Sequence, residues 1–373
     1  MRIVQIVPEL RPGRGVEAVA FHLDEEFRRR GIPTETFDLR AARAGSLLRF
    51  RDGLAGRLAL DAGVIWFSTA GTWRARSRYR HRDRDTVVIC HNDVVFGDVY
   101  VNHGNLVGSM RARGNFWWRM VRNPVHLFIW GRDNLRYARG PQRVVVNLTE
   151  EEDRLLRRTY PHFRGRSVVI GNGVDIEHYR PDPALRQQTR TALGLAPQDV
   201  AGVFVGHEFD RKGLALALEA VAELPTHVRL LVVGGTTESV ASAHQICRSL
   251  GVADRVHLIG RVEDARPYFN AGDLLVFPSA YESFGLVVLE ALACGLPVVA
   301  TPVGCAPELV DSSNGRLVEA TGPAVARGIR QLLETDLAAL RTSARASAVA
   351  HSWSSIADRY LELFDTLLRD RNL

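Results

Sequence analysis

The chain has 373 residues, 46% hydrophobic and 24% charged, with 48 Lys and Arg against 42 Asp and Glu and a net charge of +6. That length predicts two domains, and the balance is that of a folded globular protein rather than a disordered or fibrous one. No apolar run reaches the roughly 18 residues of a membrane-spanning helix. Met1 leads almost at once into a strand-like run rather than a signal peptide, and Cys90, Cys247, Cys294 and Cys305 are too scattered for a zinc site or disulfide framework. A reduced, cytoplasmic protein is expected.

Taken in chain order, a strand over 3–7 enters the loop Pro8-Glu9-Leu10-Arg11-Pro12-Gly13-Arg14-Gly15. A helix follows, with Val16, Val19, Ala20, Leu23 and Phe27 forming a 3.6-residue stripe. Further strands are expected at 34–39, 64–67, 86–90, 99–102 and 143–147. Arg164-Gly165-Arg166 reads as a boundary, dividing the chain into 1–164 and 165–350 with a terminal segment 351–373. Strands at 201–205, 229–233, 255–258, 274–277 and 298–301 follow, with a last helix from about Ser354 to Leu368. Short apolar strands alternating with helices predict two α/β halves, each with a mostly parallel sheet.

The run from Pro278 to Pro297, PSAYESFGLVVLEALACGLP, carries the strongest functional signal. It places Glu282 in a polar turn after a strand and Glu290 eight positions on, in the helix that follows. A helix N-terminus offers unpaired N–H groups and partial positive charge, which suits a phosphate. Glu290 is placed to accept hydrogen bonds from ribose hydroxyls, and Glu282 to face whatever the phosphate carries. The second signal is Lys212, the single lysine among 48 basic residues. It follows Gly206-His207-Glu208-Phe209-Asp210-Arg211 after a strand and precedes a helix beginning near Leu214. Two cations at a helix start suggest an anion to be neutralised, and a diphosphate fits.

These segments resemble the Glu-x7-Glu and basic-pair motifs of retaining GT-B glycosyltransferases of family 4, and Asn172-Gly173-Val174-Asp175 resembles the start of that family's second domain. The resemblance is densest over residues 165–310. It implies an α/β GT-B fold, two Rossmann-like α/β/α domains facing a cleft, with the last helix packing back on the first. It implies a nucleotide-sugar donor, UDP-sugar before GDP-mannose, held by Gly206, Gly234, Arg261, Val262, Ser283, Phe284, Gly285, Leu286 and Glu290. Arg211 and Lys212 would take the leaving diphosphate, so no divalent metal is expected, and Glu282 would orient the sugar. His207 stands where many relatives have arginine.

In the first half, the Gly13 and Gly15 loop resembles the family's loop that approaches donor and acceptor, although the full G-x-G-x-x-G of a dinucleotide site is absent. His103, after the strand at 99–102, is a candidate to touch substrate, and His91 is its rival. Asp83-Arg84-Asp85 looks like an Asp-x-Asp metal motif but sits in an arginine run and reads as a surface loop. Residues 73–85 carry six arginines, and residues 107–143 carry eight against one acid, Asp133. Phe116, Trp117, Trp118, Phe128 and Trp130 are interleaved in the second run. Arginine with tryptophan suits an anionic lipid surface; a solvated face with aromatics in the core ranks equal, and nucleic acid trails for want of a motif. The segment 97–149 looks most like lipopolysaccharide-core glucosyltransferases, implying an envelope glycan or lipid-linked acceptor and a peripheral place on the inner membrane face. A GT-B epimerase or hydrolase, a small-molecule natural-product glycosyltransferase and a non-catalytic binding protein are the alternatives.

Overall fold

A computed structural model describes residues 1–13, 15–49, 53–140 and 142–372. The first unit comprises Met1–Gly173 with the terminal helix, and the second Val174–Ser352. The first unit's strands are β1 (Arg2–Ile6), β2 (Thr34–Phe37), β3 (Thr86–His91), β4 (Val99–Asn102), β5 (Val144–Asn147) and β6 (Arg166–Val169). They form a parallel sheet in the order β2-β1-β3-β4-β5-β6. Its helices are α1 (Val16–Arg29), α2 (Gly53–Trp66), α3 (Thr72–Tyr79), α4 (Leu106–Ala112), α5 (Phe116–Arg122), α6 (Pro124–Arg139) and α7 (Glu150–Thr159). The predicted stripe of α1 buries Val19, Ala20, Leu23 and Phe27. β3 is buried at every position, as a Val/Ile-rich strand covered on both faces must be.

The second unit opens with α8 (Pro183–Ala192), β7 (Val200–Gly206), α9 (Phe209–Lys212), α10 (Leu214–Glu223), β8 (Val228–Gly234) and α11 (Thr237–Ser249). It continues through β9 (Val256–Gly260), α12 (Arg266–Ala271), β10 (Leu274–Phe277), α13 (Leu286–Ala293), β11 (Val298–Ala300), α14 (Ala306–Leu309) and β12 (Gly315–Leu317), then α15 (Gly322–Leu333) and α16 (Leu337–Val349). Its sheet is also parallel, in the order β12-β11-β10-β7-β8-β9. Helix α17 (Trp353–Asn372) groups with the first unit, where Phe364 meets Phe27 of α1 at 6.0 Å between ring centroids.

Three expectations need correction. The boundary expected at 164 falls at 173 instead, because 166–169 pairs with β5 as the sixth strand of the first sheet. The strand expected at 64–67 is helix: α2 runs into a π-helical turn, Phe67–Gly71, and on into α3. The pair Arg211-Lys212 does not open a helix. It closes the one-turn helix α9, and α10 starts after Gly213. Cations are ordinary at a helix C-terminus, so the charge argument rests on the side-chain geometry below.

Candidate functional site

In the second sheet the crossovers run outward one way from β7 through β8 to β9, and the other way from β10 through β11 to β12. The loops leaving the neighbouring strands β7 and β10 therefore diverge, which opens a crevice at their carboxyl ends. The loop after β7 delivers Arg211 and Lys212, and the loop after β10 delivers Ser279 and Glu282. These four side chains meet. Glu282 Oε1 accepts from Arg211 Nη1 at 2.8 Å, Lys212 Nζ at 2.7 Å and Ser279 Oγ at 2.8 Å. Lys212 is 8% exposed, and its ammonium lies 4.9 Å from the centroid of the Phe277 ring. Burial opposes the charge on Arg211, but Glu282 and Glu208 outweigh it and raise its pKa.

Backbone contacts hold the two loops in register. Ala280 N donates to Arg211 O at 2.9 Å, and Thr301 Oγ1, at the end of β11, donates to Ser279 O at 2.6 Å. The glycines at the crevice floor leave no room for side chains. A Cβ on Gly234 would stand 2.0 Å from the Gly206 carbonyl oxygen, and one on Gly206 would stand 2.8 Å from the Lys212 stem. The turn ends at Gly285, the left-handed N-cap of α13, and no side chain among the described residues caps that helix. Val288 N donates to Gly285 O at 2.9 Å, and the N–H groups ahead of it, at Leu286 and Val287, have no carbonyl one turn back within the helix.

Of the expected donor residues, Ser283 and Leu286 are half-buried and Phe284 is buried, all flanking Gly285. Glu290 is half-buried on α13. Arg261 is exposed and Val262 half-buried, just past the carboxyl end of β9. Sequence reasoning did not single out Thr301 or Glu208, the exposed carboxylate on Arg211 Nε. Nor did it give Ser279 a partner. Thr301 reaches Ser279 O only through the neighbouring of β10 and β11, so the local sequence carries no signal for it, whereas Glu208 and Ser279 each lie three residues from the side chain they bond, Arg211 and Glu282.

The first sheet reverses direction between β1 and β3. Gly13 and Gly15 lie in the loop after β1, and Gly15 is the N-cap of α1. His91 ends β3, and His103 follows β4. The two histidines, expected as rivals, are partners: His91 Nδ1 lies 2.9 Å from His103 Nε2. On its other side His91 Nε2 lies 3.0 Å from Gln5 Oε1 on β1. His91 is fully buried and His103 half-buried. Burial, then the neighbouring His103, lowers the pKa of His91; burial takes that of His103 down to about 3. Asp83 and Asp85 are exposed in the turn before β3, at the opposite end of the strands from these histidines. Among the described residues no three His, Cys, Asp or Glu are placed to share a metal ion.

The arginine-rich surface is less basic than its sequence suggests. Arg136 is 2% exposed, with its guanidinium 3.8 Å over the Tyr100 ring, and Arg132 pairs with Asp93 and Asp133 at 2.8 and 2.9 Å. Arg82 pairs with Asp98, and Arg78 with Glu35 at 2.7 Å. The tryptophans, in contrast, point outward. Trp117 is 67% and Trp118 57% exposed on α5, and Trp73 is 69% exposed on α3. The aromatics of this segment are therefore not all core residues. No helix among the described residues is long and apolar enough to cross a membrane.

Residues 200–335 match the sequence model of the family Glycosyl transferases group 1. The chain is similar to the D-inositol 3-phosphate glycosyltransferase of Mycobacterium marinum, 39% identical over 243 residues, which cover 61% of this chain and 51% of the relative. The chain thus spans about half the length of the curated relatives it matches. Among solved structures it resembles WaaG, a glycosyltransferase involved in lipopolysaccharide biosynthesis, with a TM-score of 0.72 at 19% identity, covering 97% of this chain and 99% of that one. It also resembles Anabaena Alr3699/HepE in complex with UDP and glucose, with a TM-score of 0.66 at 21% identity over 98% of this chain and 99% of the other. The fold is GT-B: two α/β units, each built on a parallel six-stranded sheet.

Proposed function

We propose that the chain is a glycosyltransferase that moves a sugar from a nucleotide-diphosphate donor, a UDP-sugar first, to an acceptor hydroxyl. The observation that carries this reading is the cluster of Arg211, Lys212, Ser279 and Glu282 at the crevice between β7 and β10, beside the uncapped N-terminus of α13. A leaving diphosphate gains negative charge as the sugar bond breaks. Two fixed cations and oriented N–H groups stabilise that growing charge more than they stabilise the bound donor. The family match over residues 200–335 and the UDP-bound fold neighbour support the same reading. On the Glu282-x7-Glu290 resemblance, transfer proceeds with retention, Glu290 holds the ribose and Glu282 favours positive charge on the sugar. Arg211 and Lys212 take the place a divalent metal fills elsewhere.

The test is thermal unfolding with UDP, GDP and ADP and their common sugar conjugates, in EDTA. At ligand one hundred times its Kd, binding to the folded state alone adds about 2.7 kcal/mol. UDP and a UDP-sugar are expected to raise Tm clearly without metal. Stabilisation by none of them removes the donor site, and stabilisation that needs added magnesium removes the metal-free reading.

For the acceptor, the names of the sequence relatives favour a phosphorylated cyclitol such as D-inositol 3-phosphate. The outward tryptophans and arginines of α3 and α5 favour a second reading, an envelope glycan or lipid-linked saccharide met at an anionic membrane. Vesicle flotation separates them. If the membrane reading holds, the protein floats with anionic phospholipid vesicles at low salt, and Trp117→Ser with Trp118→Ser weakens this roughly tenfold. Absence from the floating fraction, with sugar transfer to the soluble cyclitol phosphate, decides for the first.

A further inference from the structure

The proton positions along Gln5, His91 and His103 follow from one another. Gln5 Nε2 donates to the Ala20 carbonyl at 3.0 Å and to Asp24 Oδ1 at 3.3 Å. Neither group can donate in return: Ala20 offers a carbonyl, and Asp24 is a carboxylate paired with Arg28 Nε at 2.7 Å. The amide is thereby oriented, and its oxygen faces His91 Nε2 at 3.0 Å. An amide oxygen only accepts, so His91 carries its proton on Nε2. The other nitrogen of that neutral ring is a bare acceptor, and it stands 2.9 Å from His103 Nε2. That contact is a hydrogen bond when His103 carries its proton on Nε2. His103 Nδ1 is then left with its lone pair. The backbone here is also braced: Asn102 Nδ2 donates to Asn147 Oδ1 at 2.8 Å, and Gly104 N donates to Asn102 Oδ1 at 3.4 Å.

We propose that Gln5 and His91 are positioning residues that hold His103 as its Nε2–H tautomer, so that Nδ1 accepts a hydrogen bond from a hydroxyl of the bound substrate. This deepens the glycosyltransferase reading and rests on it for the nature of the substrate. A sugar or polyol hydroxyl can donate to that lone pair. A phosphate oxygen has no proton to give and meets lone-pair repulsion there, so the site sorts the hydroxyl face of its substrate from the phosphate. The low pKa of both rings keeps this assignment in force at neutral pH, because neither imidazole gains the second proton that would turn Nδ1 into a donor.

The tautomers are read directly from long-range 1H–15N spectra of the full chain labelled in its imidazole rings, at pH 7, with His91→Gln and His103→Gln supplying assignments. Both rings are expected as Nε2–H. An Nδ1–H tautomer or an imidazolium at His103 overturns the proposal whatever the substrate. Function is read as hydrolysis of UDP-glucose, with UDP affinity measured alongside. His91→Leu removes the acceptor for His103 Nε2–H and is expected to mix the tautomers and slow hydrolysis about tenfold or more, with UDP affinity changed less than about twofold. His91→Gln restores both bonds, its amide oxygen accepting from His103 and its amide nitrogen donating to Gln5, and is expected to recover the single tautomer and most of the rate. Hydrolysis by His91→Leu at the parent rate, or no recovery by His91→Gln, overturns the positioning role. Failure of the unaltered chain to bind UDP counts against the glycosyltransferase reading instead, and the tautomer spectra still decide the relay.

Discussion

Replacing Lys212 by alanine lowers turnover by about 10²-fold or more, the scale on which loss of one transition-state charge partner acts. The effect is expected in kcat more than in donor affinity. In the bound donor the diphosphate shares its charge over both phosphates, and the share Lys212 meets grows as the sugar bond breaks. The folded state survives the change. Glu282 keeps Arg211 Nη1 at 2.8 Å and Ser279 Oγ at 2.8 Å, so the carboxylate is not stranded. A stability loss of about 1–2 kcal/mol follows from one hydrogen-bonded charge contact removed. Lys212→Arg is not expected to rescue, because the lysine stem threads past Gly206 in a gap too narrow for a Cβ, and a planar guanidinium needs more width at its end. The measurement is steady-state kcat with the donor that the unfolding screen selects, paired with urea unfolding. A variant with near-native kcat shows that the ammonium serves folding alone.

What the sequence revealed of this site, and what it hid, divides along the chain's own geometry. Glu282, Glu290, Arg211 and Lys212 stood out as candidates because each sits at a fixed offset from a strand end or a helix start, and such offsets survive in one dimension; the structure gathers three of them, Arg211, Lys212 and Glu282. The contact of Arg211 and Lys212 with Glu282 was not legible, because it depends on β7 and β10 being neighbours although 67 residues, with two other strands among them, lie between Gly206 and Leu274. The same holds for the histidines. Pairing of β3 with β4 sets His91 opposite Val101, which brings His103 within reach, and nothing local to either residue announces that register. The run at 64–67 misled for a different reason. Val64-Ile65-Trp66-Phe67 is short and apolar, and such a run reads equally as buried strand or helix. Here the helical backbone of α2 continues through it, Trp66 Nε1 donates to Ala42 O at 2.8 Å, and Ile65 stays 40% exposed. At the other extreme, β12 has three residues and an edge position, too little for any periodicity to show.

Gly213→Ala costs about 3–5 kcal/mol, the range of a core clash without a cheap escape. Gly213 stands between the cation pair and α10 with φ +76, and a Cβ there would lie 2.0 Å from the Pro278 carbonyl oxygen. Left-handed backbone alone costs an alanine roughly 1–2 kcal/mol. The remainder comes from pushing the turn after β10 away from α9, and this strains the bonds from Ala280 N to Arg211 O and from Arg211 and Lys212 to Glu282. Gly251 supplies the control. It has φ +68, and a Cβ added there would meet nothing within 4 Å, so Gly251→Ala bears the backbone strain without the clash. Urea unfolding of the two variants therefore separates the terms: Gly251→Ala loses about 1 kcal/mol, and Gly213→Ala at least about 2 kcal/mol more. Equal losses would mean that the two loops do not press on one another at Gly213. The same displacement spreads the donors gathered on Glu282, so in Gly213→Ala the rise in Tm given by UDP is expected to shrink as well, while in Gly251→Ala it stays as in the parent chain. A site assembled by contact between two loops fails in this coupled way, losing stability and nucleotide binding through one added methyl group.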